Sequence, residues 1–491
     1  VQHFKRREFI KTLGMGTLAL ALNNCRNTDQ ISSRPNIIYI LADDLGYGDL
    51  SCYGQTKFQT PNIDILAAEG MRFTQHYAGS TVCAPSRSAL MTGLHTGHTP
   101  VRGNREHKPE GQYPLPEKTI TVAKMLKKAG YATGAFGKWG LGYPGSTGDP
   151  NNQGFDEFFG YNCQRIAHHY YPWHLWHNGQ KIILEENKGL KRGVYAPELI
   201  HKKALQFIEI HKDEPFFLYV PSIIPHAELF APEEYMQRFR GKFLPEKSFK
   251  GQDELGKGFK TGSYGSQPEG HTAWVAMITL LDDQVRQIME KVKELGLDKN
   301  TIIMFSSDNG PHEEGGADPD YFNSNGSLRG IKRDLYEGGI RVPFIVRWND
   351  HIKAGSTSEH VSAFWDMMPT FSQLAGVSIP EEIDGISILP TLTGRDGKQV
   401  KHDYLYWEFS ERDGAQAIRM GDWKAVRNGV KNRKDTRIEI YNLKNDPSEQ
   451  KNLTKERKDI LEQITPLFEK ARIDSKDFPL FKNPLKNDYP L

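Results

Sequence analysis

Two polar pairs sit just beyond short apolar runs. Asn36–Ala42 leads directly into Asp43-Asp44, and Thr301–Phe305 leads to Asp308-Asn309-Gly310. Three carboxylates and one amide oxygen form an all-oxygen donor set, which suits a hard divalent cation; the mixture of charged and neutral oxygens favours Ca2+ over Mg2+. Singly, either pair reads equally well as a polar turn. At the ends of two buried strands they read together as a metal site. A third segment carries Cys83-Ala84-Pro85-Ser86-Arg87. Pro85 suits the first turn of a helix, which puts Cys83 near a helix N-terminus, where free N–H groups attract an anion. Arg87, one turn further on, presents a planar fork to an oxyanion. The same cysteine could instead be a nucleophile activated by the helix, or an inert buried thiol.

The elements that must position these groups alternate between helix and strand. Asn36–Ala42 and Phe216–Val220 are apolar runs of strand length, and Thr301–Phe305, Tyr131–Phe136 and Val342–Val346 read alike. Ile63–Gly70, Val122–Gly130, Leu199–His211 and Trp274–Leu295 read as helices, three of them closed by glycine. This order predicts an α/β fold, a large mixed and mostly parallel sheet sandwiched by helices. Ligands of such sheets sit beyond the carboxyl ends of the strands. Lys138 and Pro225-His226 follow two further strands there and join the polar pairs. Residues 243–272, rich in Gly, Lys, Ser and Gln, read as a long loop near the pocket. From about residue 396 the pattern becomes antiparallel strands, with a hairpin at Arg419–Val426, and then a helix over Leu453–Ile473. The expected division is an export signal and linker at 1–32, a catalytic domain at 33–395, and a smaller α+β C-terminal part at 396–491.

Composition narrows the function. Of 491 residues, 37% are hydrophobic and 25% charged, enough for a sizeable core and against global disorder. Lys+Arg 63 against Asp+Glu 61 leaves +2, without the basic excess of a nucleic-acid or membrane-surface binder. Four cysteines cannot make a disulfide framework. Cys52 and Cys163 are expected to be free thiols. Leu13–Leu22, the longest clean apolar run, is ten residues, about half of the ~20 that a spanning helix needs. Preceded by Lys5-Arg6-Arg7, it reads as an export signal of twin-arginine type, or as an ordinary secretory one with two arginines. The periplasm is the expected compartment, with Cys25 a possible site of lipid anchoring.

Cys83-x-Pro85-x-Arg87 followed by Thr92-Gly93 resembles the modification signature of type I, formylglycine-dependent sulfatases of the alkaline phosphatase superfamily. Asp43-Asp44 with Asp49, Gly137-Lys138-Trp139, Asp308-Asn309-Gly310-Pro311, Leu328–Lys332 and Glu337–Pro343 fall in the family's order, as does Tyr441–Gln450. The resemblance implies conversion of Cys83 to formylglycine by a formylglycine-generating or sulfatase-maturing enzyme. It implies one Ca2+ held by Asp43, Asp44, Asp308 and Asn309 together with residue 83. It also implies that Arg87, Lys138, His226 and Lys332 grip the sulfate, the modified residue or the leaving oxygen. The substrate implied is a sulfated carbohydrate, a galactose- or hexosamine-type O-sulfate, by similarity to bacterial polysaccharide-degrading sulfatases. A formylglycine-dependent phosphonate or phosphodiester hydrolase and a non-catalytic glycan-binding homologue are the alternatives.

The chain departs from the family at Gly140, where members commonly have a histidine that contacts the modified residue. Either the contact is dispensable or another residue supplies it, with candidates in the histidine- and aromatic-rich segment Ala167–His177. It reads either as a self-packed loop or as a sugar-binding wall, with Arg165, His168 and His169 reading hydroxyls. His312, just past the Asp-Asn-Gly-Pro turn, is a further substrate-binding candidate, whereas Trp274 and Trp365 read as core.

Overall fold

The apolar runs at the strand positions share one large sheet in a computed structural model of the chain. It describes residues 34–482 apart from 190, 253–259, 261 and 433–435. The expected export signal and Cys25 lie outside the described residues. The strands are β1 (Asn36–Ala42), β2 (Met71–Tyr77), β3 (Ala132–Lys138), β4 (Glu157–Tyr161), β5 (His174–His177), β6 (Gln180–Ile183), β7 (Phe216–Pro221), β8 (Thr301–Ser307), β9 (Arg341–Arg347), β10 (Ser356–Ser358) and β11 (Ser362–Ala363). Their order is β10-β2-β9-β8-β1-β7-β3-β4-β5-β6, with β11 pairing β2. The central neighbours β8, β1, β7, β3 and β4 are parallel, and antiparallel pairs flank them.

Every residue of β1, β7 and β8 is buried, as continuous apolar runs covered on both faces require. The helix Gly270–Glu294 turns Trp274, Ile278, Leu281, Val285, Ile288 and Val292 inward at helical spacing, and all six are buried. Trp365 is likewise core, at 1% exposure. Among the described residues no helix is long and apolar enough to cross a membrane.

Two local readings are corrected. The strand β2 was not anticipated; its alternation breaks at Thr74-Gln75, where the register with β9 shifts between Phe73 and His76. The single helix expected over Leu453–Ile473 is two short ones, Lys458–Ile464 and Leu467–Lys470. Pro466 between them has no N–H to continue the ladder.

The expected hairpin forms, within a second, antiparallel sheet: β12 (Leu405–Phe409), β13 (Ala415–Met420), β14 (Trp423–Asn428) and β15 (Arg437–Asn442). The described residues from Pro35 onward make one compact unit. The second sheet meets the first through a buried charge group. Lys424 Nζ donates to Glu337 Oε1 at 2.9 Å and lies 3.1 Å from Glu449, while Tyr77 of β2 donates to Glu337 Oε2 at 2.7 Å. All three charged side chains are fully buried. Removing the cation takes away the ion pair of Glu449 and leaves Glu337 with Arg341 at 3.4 Å. A Lys424→Met variant should therefore lose about 3–5 kcal/mol, measured by thermal unfolding.

Candidate active site

The strand register assembles the site. Ala42 pairs Ser307 and Leu41 pairs Pro221, so β1, β8 and β7 end side by side, and β3 ends beyond β7. Asp43-Asp44, Asp308-Asn309, His226 and Lys138 consequently emerge at one edge. The helix Cys83–Thr92, buried at every residue, brings Cys83 and Arg87 to it. Cys83 is the first residue of that helix.

Distances are those of one cluster. Cys83 Sγ is 3.3 Å from Asp43 Oδ1 and 3.4 Å from Lys138 Nζ, which donates to Asp43 Oδ2 at 2.6 Å. Arg87 donates from Nε and from a terminal nitrogen to Asp308 Oδ2, at 3.0 and 2.9 Å. Lys332 Nζ donates to Asp44 Oδ2 at 2.7 Å and lies 3.2 Å from His226 Nε2. The other ring nitrogen of His226 donates to the Ala227 carbonyl, and Tyr170 holds the His226 carbonyl at 2.8 Å. Asp43, Asp44, Asp308, Arg87, Lys138, His226 and Lys332 are all at most 4% exposed.

Burial and neighbouring charge set the protonation states. Burial acts to raise Asp43, but Lys138, Arg87 and Lys332 outweigh it and hold the carboxyl at about 2. Asp44, likewise opposed by burial, is held well below the usual range by Lys332. Asp308 is pushed up to about 7 by burial and by Asp43, more than Arg87 offsets. Burial and Asp43 push the Cys83 thiol well above its ordinary value. Burial thus works against the activated-cysteine reading, since the thiolate is the nucleophilic form.

The donor set fits a cation. Asn309 Nδ2 donates to Asp44 Oδ1 at 2.7 Å and to the Gly310 carbonyl at 2.9 Å, which fixes the amide plane. Its Oδ1 is buried and has no hydrogen-bond partner among the described residues. One orphaned amide oxygen beside three crowded carboxylates is the arrangement a hard divalent ion would satisfy.

A cavity of about 430 Å³ opens onto this cluster, lined by Cys83, His226 and Lys332 at its base. Arg165 and His168 face it as expected, together with Tyr264 of the 243–272 loop. His169 and His312 do not line it. His169 Nε2 accepts from Gly262 N at 3.0 Å, tying down the loop, and His312 lies buried with Nε2 3.3 Å from the Pro225 carbonyl. The aromatic–histidine segment divides. Its first part reaches the cavity, whereas His174 and Trp176 belong to β5 and bind Glu110 at 2.8 and 2.6 Å. Cys52 and Cys163 are free. Sequence reasoning missed Gln164, Asn104, Glu106, Gln112, Arg333 and Glu411, which complete the wall.

A family model described as Sulfatase matches residues 35–377, and one described as N-sulphoglucosamine sulphohydrolase, C-terminal, matches 331–474. The chain belongs to the sulfatase family. Its superfamily and fold are those the motifs implied, and it is an enzyme of sulfate ester hydrolysis. This sulfatase is 31% identical to the N-acetylgalactosamine-6-O-sulfatase of Bacteroides thetaiotaomicron, over 91% of this chain and 95% of that one. Human arylsulfatase A is 33% identical over 80% of this chain and 75% of its own. The solved structure of Ps i-CgsB superposes with a TM-score of 0.73 at 28% identity, covering 91% of this chain and 94% of that one.

Proposed function

We propose that this sulfatase removes sulfate from a carbohydrate, a galactose- or hexosamine-type O-sulfate of a polysaccharide. Residue 83, as hydrated formylglycine, is the nucleophile, and Ca2+ is the resident ion. The observation that carries the reading is the placement of Cys83 between Asp43 and Lys138 at the base of the cavity, ringed by three fixed cations. Support for the substrate comes from the relatives. One is named for N-acetylgalactosamine 6-O-sulfate, and Ps i-CgsB has been solved with k-i-k-neocarrahexaose.

Asp43, Asp44, Asp308 and Asn309 would hold the ion, which when bound supplies positive charge to the sulfate and to the attacking oxygen. Arg87, Lys138 and Lys332 add fixed charge where the transferring group becomes more negative. A hydrated aldehyde at position 83 has two hydroxyls on one carbon: one attacks sulfur, and the other loses its proton as the carbonyl re-forms and sulfate departs. In this reading the ion and Asp308 activate the attacking hydroxyl. His226 or Lys332 delivers the proton to the leaving oxygen. Arg165 and His168 contact the sugar. Maturation by a formylglycine-generating or sulfatase-maturing enzyme, export to the periplasm, and the division at residue 395 complete the proposal.

Regiospecifically sulfated mono- and oligosaccharides assayed beside an aryl sulfate and an aryl phosphodiester test it. The expected result is sulfate release from one sugar position, loss of activity on chelation, and recovery with Ca2+. Faster cleavage of the phosphodiester would favour the phosphonate and phosphodiester hydrolase alternative.

A further inference from the structure

Gln164 is held at the cavity wall by the register of two strands. Lys138 of β3 pairs with Tyr161 of β4. Beyond them the chains stay together: Trp139 N donates to Tyr161 O at 2.8 Å, and Gly140 N to Asn162 O at 3.0 Å. The chain thus brings Gln164 over Gly140. Gly140 has φ +80°, in the left-handed region, and a Cβ built there would stand 2.4 Å from Gln164 Nε2. A side chain at 140 would be strained by its backbone and would collide with the amide. Glycine leaves the space that the carboxamide fills.

That carboxamide is unpaired. Gln164 is 8% exposed, and neither its Nε2 nor its Oε1 has a hydrogen-bond partner among the described residues. A methionine would fill much of the same volume without burying an unsatisfied amide, so packing alone does not account for glutamine. The same side chain lines the cavity with Cys83.

We propose that Gln164 is a catalytic residue of this site, its amide N–H donating to a sulfate oxygen of the substrate beside residue 83. The proposal rests on the reading of residue 83 as the point of sulfuryl transfer. The glycine at 140 is its structural counterpart, since the amide reaches this position only because no side chain occupies it.

The test is Gln164→Met and Gln164→Glu, read by kcat/KM on an aryl sulfate and by thermal unfolding with and without inorganic sulfate. A hydrogen bond to a charged group is worth about 10–100-fold in rate, which is the expected loss for Gln164→Met. Its unfolding temperature should equal or exceed that of the wild type, because a buried unpaired group is gone. Gln164→Glu should lose more, since a carboxylate repels sulfate. Sulfate should stabilise both variants less than the wild type. A rate within about twofold of wild type for Gln164→Met overturns the proposal. So does a rate loss matched by a fall in unfolding temperature, which marks a packing role. If the wild type released no sulfate from any ester, the proposed function would fall. The sulfate-induced stabilisation would still decide on Gln164, and equal shifts in wild type and variants would reject it.

Discussion

A Cys83→Ser variant should perform one sulfuryl transfer per molecule and then stop. The serine hydroxyl occupies the position 3.3 Å from Asp43 and 3.4 Å from Lys138 that the cysteine sulfur holds, so attack on sulfur remains geometrically available. The sulfate ester then formed on serine has no second hydroxyl on the same carbon and cannot expel sulfate by closing a carbonyl. Steady turnover should fall by roughly 10⁴–10⁶-fold, the scale of removing a covalent nucleophile. A burst no larger than one equivalent should remain. Cys83→Ala should show no burst. Mass analysis of the wild-type peptide around residue 83 should find the aldehyde in place of the thiol. Wild-type protein made without a maturing enzyme should likewise show no steady turnover, because a thiol has no second hydroxyl on the same carbon with which to expel sulfate. Continuous turnover by Cys83→Ser would refute the mechanism.

The parts of this site legible in the sequence are those that depend only on where a strand ends. Asp43-Asp44 and Asp308-Asn309 follow fully buried runs, and parallel pairing of β1 with β8 brings the two pairs together. Cys83 and Arg87 are one turn apart on a single helix, a spacing visible without any tertiary knowledge. Gln164 was illegible because its position over Gly140 depends on how the two chains run on together past the ends of β3 and β4. Glu106, Asn104 and Glu411 come from irregular segments, where no period says which way a side chain faces. The aromatic–histidine stretch misled in part because β5 begins inside it. From His174 onward its side chains answer to the sheet edge and to Glu110 rather than to the cavity. β2 was hidden by the irregular register at Thr74-Gln75, which breaks the alternation that marks a half-buried strand.

Replacing His226 by Asn should separate substrates by their leaving groups. A sugar hydroxyl is a poor leaving group and needs a proton as the S–O bond breaks, whereas a nitrophenolate does not. His226 lines the base of the cavity, with its Nδ1 hydrogen committed to the Ala227 carbonyl and Nε2 turned toward Lys332. With Nε2 protonated it can hand that proton to the leaving oxygen, and Lys332 Nζ, 3.2 Å away, adds positive charge beside it. His226→Asn should lower kcat on a sugar sulfate by about 10²–10⁴-fold and on a nitrophenyl sulfate by less than about tenfold. Lys332→Met should behave differently. Lys332 is also the buried lysine partner of Asp44 at 2.7 Å, so its loss removes a fixed positive charge from that carboxylate and perturbs the ion's site and the charge around sulfate. Its cost should fall on both substrates alike. Equal losses on both esters for His226→Asn would assign that residue to binding the sulfate and leave Lys332 as the proton donor.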